Sequence, residues 1–235
     1  MRRALLITHG PVPPRDYIST ALSRRGIACD WRCLPKGHIL PPPDPHTYDL
    51  TICYGGPQLL SDLQPDEEFL LDEIAWTRRF VEAGGQFWGL CLGAQILARA
   101  FGANVWRHRA GCREVGYYPI EVTPTGQRLM NLPQTMQVYH WHRDGFDVPT
   151  GAQLLATGHL FPNQAFCLGP KAWGVQFHPE ITEAMIAAWA ARAPADSDQA
   201  PGAQCRTTHL RGYARHQAEV HNWIETQITK TFPHH

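Results

Sequence analysis

Short apolar runs alternate with amphipathic stretches from the first residues of the chain onward. Residues 4–8 read as a buried strand, and residues 17–25 offer Ile18, Ala21 and Leu22 at helical spacing before Gly26 closes them. Residues 27–34 and 48–54 form further strands, with Pro41-Pro42-Pro43-Asp44-Pro45 between them as a loop, since that run suits neither a helix nor a central strand. Pro65 and Asp66 open a helix with Leu70, Ile74, Thr77 and Val81 along one side, flanked by Phe69, Trp76 and Phe80, and Gly84-Gly85 end it. The stretch 86–98 then predicts a short apolar strand, a sharp turn marked by Gly89 and Gly93, and an apolar helix ending near Phe101-Gly102.

The pattern changes beyond this point. Residues 117–122, 136–142, 152–157, 165–168 and 172–177 are short strand candidates between Pro, Gly and Asn turns, an antiparallel or mixed extension of the sheet. Thr182 can cap a helix carrying Met185, Ile186 and Trp189. Residues 193–204 are rich in Ala, Pro, Asp and Gly and read as a loop, followed by a last helix with Leu210, Tyr213, Val220, Ile224 and Ile228 on one side. These elements predict an α/β fold, a three-layer sandwich with a mostly parallel central sheet, helices on both faces and a C-terminal helical extension. Residues 1–192 form the main domain, with 193–235 packed on the same domain. Ligands of such sheets bind at the carboxyl ends of the strands, where Gly55-Gly56 and Cys91 both fall.

Composition narrows the class. Of 235 residues, 43% are hydrophobic and 18% charged, a globular rather than disordered profile. Lys and Arg balance Asp and Glu at 21 each, so nothing pulls the chain toward nucleic acid or an anionic membrane. The first apolar run is too short for a signal-peptide core, and no run approaches the ~20 residues of a membrane span. The seven cysteines are scattered, which favours reduced thiols and a cytoplasmic location.

Gly89-Leu90-Cys91-Leu92-Gly93 has the form of a nucleophile elbow, in which a strained strand-to-helix turn presents the central side chain at the top of a sheet. A buried structural cysteine is the alternative. A thiol nucleophile needs a base, and Gly174-Val175-Gln176-Phe177-His178-Pro179-Glu180 offers one. Residues two apart in an extended segment project to one side, so Glu180 can hold the His178 imidazole while the other ring nitrogen faces Cys91. Backbone amides of Leu92, the residue after the nucleophile, and of the Gly55-Gly56-Pro57 turn can serve a developing oxyanion. His140-Trp141-His142 has metal-like spacing, but no downstream pair completes a site, and no metal or cofactor is expected.

Together these three segments resemble, in order and spacing, the signatures of class I glutamine amidotransferases, over about residues 1–190. The likeness is greatest to stand-alone members similar to the amidotransferase domain of GMP synthetase, some relatives of which are γ-glutamyl peptidases. The resemblance implies a flavodoxin-like sheet and a Cys91, His178, Glu180 triad. Cys91 would attack the side-chain amide of glutamine, form a γ-glutamyl thioester and release ammonia, with Gly56 and Leu92 amides as the oxyanion hole. It implies substrate contacts from Gly55, Gln95 and the 138–144 segment, including Trp141 and His142. Trp141 stands where a serine is common, which removes a hydroxyl contact and leaves backbone ones. Glu114 and Gly116 match a Glu-x-Gly pattern of the substrate-side loop. Ammonia would pass to an acceptor or a partner synthase chain, since the sequence holds no Gly-x-x-x-x-Gly-Lys-Ser/Thr phosphate loop. Hydrolysis of γ-glutamyl peptides, with a larger leaving amine, is the competing reading.

Overall fold

Strands β1 (Arg3–Thr8), β3 (Leu50–Cys53) and β4 (Phe87–Leu90) are apolar nearly throughout because the sheet they form is covered on both faces. The computed structural model describes residues 2–10, 15–194 and 197–233. Side chains along β1 alternate between two hydrophobic clusters. Ala4 and Leu6 pack with helices α1 (Tyr17–Arg24) and α6 (His209–Thr231), and Leu5 and Ile7 with α2 (Phe69–Glu82) and α3 (Leu92–Ala100). This is the expected three-layer α/β arrangement.

The main sheet has nine strands among the described residues. Its order is β2 (Ala28–Cys33), β1, β3, β4, β11 (Ala172–Val175), β10 (Ala165–Leu168), β9 (Gln153–Thr157), β6 (Glu114–Val122) and β7 (Thr135–His142). The first five run parallel, and from β11 to β7 each neighbour is antiparallel. The change of character seen in the sequence after residue 102 is thus the change from parallel to antiparallel pairing. A separate antiparallel pair, β5 (Val105–Arg107) and β8 (Asp144–Phe146), escaped the sequence reading because each strand is three residues long. So did α4 (Pro124–Met130), a short helix capped by Thr123, whose side chain accepts from the Gly126 amide.

Two helix faces differ from expectation. A 3-10 turn over Pro65–Glu67 precedes α2, which buries Leu70, Glu73, Trp76, Thr77 and Phe80, whereas Ile74 and Val81 are only half-buried. The aromatic residues win the core side because the Trp76 indole donates to Pro41 O at 2.6 Å and Phe80 stacks on it. On α6 Leu210 is 41% exposed, while Val220, Trp223, Ile224 and Ile228 are buried. Trp223 Nε1 and Gln227 Nε2 both donate to Met130 O, at 2.8 and 2.7 Å, so α6 is tied to the end of α4. Thr182 caps α5 (Glu183–Arg192) as anticipated, accepting from Met185 N. No helix of the described residues is long and apolar enough to cross a membrane.

Candidate active site

Cys91 sits between β4 and α3 with φ +52° and ψ −105°, a conformation that costs a non-glycine residue about 1–3 kcal/mol. Two glycines let the strand and helix approach closely enough to impose it. A Cβ on Gly89 would lie 2.5 Å from Gly93 O, and one on Gly93 would lie 2.0 Å from Cys53 O, so only hydrogen fits at either position. Cys91 is anchored by its own amide, which donates to Val175 O at 2.8 Å, while its carbonyl accepts from Ala94 and Gln95. The side chain is 4% exposed and stands over the start of α3, whose first amides have no partner within the helix.

β11 lies beside β4, in parallel register through Val175↔Leu90, and the chain beyond it carries His178 next to the elbow. His178 Nδ1 meets Glu180 Oε1 at 2.8 Å, and both residues are buried. Burial would lower the pKa of His178, but the Glu180 carboxylate and the nearby Cys91 sulfur outweigh it and raise it to about 10. The ring is therefore an imidazolium at neutral pH, its Nε2 without a well-aligned hydrogen-bond partner among the described residues. Behind the pair, Tyr17 N donates to Glu180 O at 2.9 Å, and Asp16 caps α1. Burial, with some help from Glu180, pushes the Asp16 carboxyl up to about 6 against hydrogen bonds from Ser19 and Tyr54.

Gly55 is the hinge of this arrangement. A Cβ there would come 2.9 Å from His178 Cε1 and 3.4 Å from Cys91 Cβ, so the glycine is what allows both side chains to converge over the end of β3. Gly56 lies between His9 and Leu92, its virtual Cβ 2.4 Å from His9 Cβ and 3.0 Å from Leu92 Cδ2. The Gly55-Gly56 turn and the start of α3 thus flank the sulfur together. Trp141 brings its carbonyl to 4.0 Å from Cys91 Sγ, while its indole turns toward Trp189 and His209. At this position, where a serine is common in the resembling sequences, the backbone is what faces the site.

His142 and Gln95 are buried and already engaged. His142 Nδ1 meets Asp144 O and its Nε2 meets Glu114 Oε2, each at 2.9 Å. Gln95 Nε2 donates to Asp144 O at 3.1 Å and to Gln176 Oε1 at 3.2 Å. Gln176 Nε2 in turn points at Cys91 Sγ, 3.6 Å away. Gln176 was missed as a site residue in the sequence, although the two-residue alternation that sets Glu180 beside His178 also sets Gln176 on the His178 side.

Glu114 pairs opposite His142 across β6 and β7, and its Oε2 is 3.5 Å from His140 Nδ1. Burial would raise the pKa of Glu114, but His140 and His142 hold it down at about 2, while burial takes His140 down to about 3. These three donor atoms lie within 4.8 Å of one another, as do those of His9, Cys53 and Glu73 under the glycine turn. The sequence reading sought a completing ligand downstream of His140 and His142, whereas Glu114 comes from upstream through strand pairing. Within these clusters His142 bridges Glu114 and Asp144 O, and His9 Nε2 meets Glu73 Oε2 at 2.8 Å while Cys53 donates to Oε1.

Residues 29–185 match the family model described as glutamine amidotransferase class-I, and the chain belongs to that family. Among curated relatives it is 30% identical to the glutamine amidotransferase-like protein YfeJ of Salmonella typhimurium, over 67% of each chain. It is 33% identical to the glutamine-hydrolyzing GMP synthase of Bacillus subtilis over 55% of this chain but 24% of that one. It is 34% identical to a subunit of the glutamine-hydrolyzing GMP synthase of Methanospirillum hungatei over 45% of this chain and 56% of that one. The matched region therefore spans about a quarter of the larger synthase. In fold, a crystal structure of a glutamine amidotransferase from Thermotoga maritima superposes with a TM-score of 0.86 at 23% identity, covering 99% of both chains. One from Methylobacillus flagellatus gives 0.87 at 21% identity, covering 100% of this chain and 99% of that one.

Proposed function

We propose that the protein hydrolyses the γ-glutamyl amide of glutamine by covalent catalysis at Cys91 and releases ammonia. The observation that carries this reading is the convergence of Cys91 and an imidazolium His178, held by Glu180 at 2.8 Å, over a glycine turn with no room for a Cβ. With the thiol proton already held on His178 Nε2, the Cys91 thiolate attacks the amide carbon. The oxygen of the tetrahedral intermediate takes its negative charge beside the amides of Leu92 and Gly56. Collapse breaks the C–N bond as His178 returns its proton to the leaving nitrogen, leaving a γ-glutamyl thioester on Cys91. His178 then takes a proton from water as hydroxide adds to the thioester; collapse breaks the C–S bond, releases glutamate and leaves the Cys91 sulfur beside the protonated His178. Glu180 keeps the imidazole oriented through both halves.

The names of the GMP synthase relatives, one of them a separate subunit, support a partner synthase chain as the consumer of the ammonia. The test is a panel of glutamine and γ-glutamyl dipeptides with glutamate and ammonia both measured. Equal release of the two from glutamine is expected. Glutamate from dipeptides with no ammonia from glutamine would replace this reading with γ-glutamyl peptide hydrolysis, and no turnover of either would overturn both.

A further inference from the structure

One buried polar residue touches the reacting sulfur and has no part in the scheme above. Gln176 is fully buried, one position past β11, with its backbone amide donating to Gln164 O at 2.8 Å. Its side-chain nitrogen lies 3.6 Å from Cys91 Sγ, within the range of an N–H···S hydrogen bond.

Which end of an amide faces a partner is ordinarily ambiguous, but here the network decides it. Asp144 O is a carbonyl and can only accept, so the group that Gln95 turns toward it, 3.1 Å away, must be its NH2. That same nitrogen has a second proton, which goes to Gln176 at 3.2 Å and so requires the Gln176 oxygen there. The Gln176 NH2 is thereby forced to the opposite side, toward the sulfur. The far end is pinned as well. His142 Nδ1 meets the same Asp144 carbonyl at 2.9 Å, and its Nε2 is held by Glu114, which also accepts from Gln164 Nε2 at 2.8 Å. Glu114, His142, Gln95 and Gln176 are all buried, so no water competes with this order among the described residues.

We propose that Gln176 is a catalytic residue whose side-chain N–H stabilises the Cys91 thiolate, and that Gln95 is the positioning residue that locks the amide in the donating orientation. While His178 holds the thiol proton, the charge on sulfur receives the Gln176 hydrogen bond. When sulfur bonds the acyl carbon that hydrogen bond weakens, and it returns as the thioester C–S bond breaks and the thiolate leaves. The donor thus favours the charged sulfur both before attack and at release, and does so from the β11 side of Cys91, across β4 from the Gly55-Gly56 turn. This deepens the proposed cysteine chemistry and rests on Cys91 being the nucleophile, but not on which amide it attacks.

The test needs no substrate. The rate of Cys91 alkylation by iodoacetamide, followed on the Cys91 peptide by mass spectrometry, is measured against pH for the full chain and for Gln176→Met and Gln95→Met. Methionine keeps the volume and removes the donor. The Gln176→Met midpoint should move up by about one pH unit, a tenfold slower reaction at pH values below it. Gln95→Met should move it the same way by less, since the Gln176 amide is then free to turn over. A folded Gln176→Met with an unchanged midpoint overturns the proposal. Should that variant fail to fold, NMR of the unsubstituted protein decides. A Gln176 side-chain N–H resonance that follows the alkylation midpoint, and stops doing so in Cys91→Ala, supports the hydrogen bond, and one that ignores the titration refutes it. Shifted midpoints in a protein that hydrolyses no γ-glutamyl amide would leave this inference standing and remove the functional reading alone.

Discussion

Replacing Glu180 by glutamine tests the electrostatic core of the site. The substitution keeps the shape and an oxygen for His178 Nδ1–H, and removes the charge. His178 moves from 6.5 to about 10 on folding, which at ~1.4 kcal/mol per pH unit is worth at most about 5 kcal/mol. Because its folded pKa is the raised one, that stabilisation is fully present below pH 6.5 and is lost as pH climbs through about 10. The charge of Glu180 is the largest single cause that raises the His178 pKa, ahead of the charge of Cys91. Denaturant unfolding of the two proteins from pH 6 to 10 should show the variant less stable at pH 6 by no more than about 5 kcal/mol, with the gap closing toward pH 10. Working with the difference cancels the other groups that titrate in this window. A gap that stays constant with pH would refute the ion pair as the source of the shift. Hydrolysis should fall by two orders of magnitude or more in the same variant, because the neutral amide holds the imidazole less firmly and no longer supports its charge.

Three further outcomes follow from the geometry. Cys91→Ala should abolish hydrolysis in steady-state assays while its circular dichroism stays unchanged, and turnover without the sulfur would dismiss the covalent route. Gly55→Ala should cut kcat by about 10–100-fold with a stability loss of about 1–3 kcal/mol, since its Cβ would press His178 Cε1 from 2.9 Å; near-normal kcat would show that the convergence is not needed. Asp16→Asn should stabilise the protein at pH 8 and do little near pH 4, because the Asp16 carboxyl, raised from 3.8 to about 6, opposes folding increasingly between those values and fully above them; equal effects at both pH values in unfolding experiments would contradict this.

Much of this was legible in the chain because its signals are local. Strand runs such as Ala4–Ile7 are apolar throughout as a doubly covered strand must be, and the GLCLG and QFHPE segments carry their geometry in adjacent residues. What was illegible depends on partners far away in sequence. Glu73 gives no signal in the sequence, and only the fold places His9 and Cys53 against it. Leu210 fits the apolar stripe of α6 by spacing, yet in that first turn it is the neighbouring His209, bonded to Tyr139 of β7, that is buried. Glu114 joins His142 only through the β6–β7 register, and the orientation of Gln176 is set by a carbonyl on β8, a strand too short to leave a periodic signal. The alternation of β11 did mark Gln176 as facing His178; it said nothing about which end of the amide would meet the sulfur.

The placement of β11 has a consequence for how the molecule reaches activity. It pairs with β4 in a register that joins Phe87 to Ala172 and Leu90 to Val175, the most widely separated neighbours in the parallel half of the sheet. The antiparallel hairpin it makes with β10 is local and can form early. Closing the long loop to β4 costs entropy before any contact repays it, so that docking falls late on the folding route. Cys91 and His178 are therefore strangers until the last seam of the sheet closes. Nascent or partly unfolded chains carry Cys91 without His178 beside it, and the appearance of the His178–Glu180 contact next to Cys91 in a refolding experiment reports the zipping of that one seam.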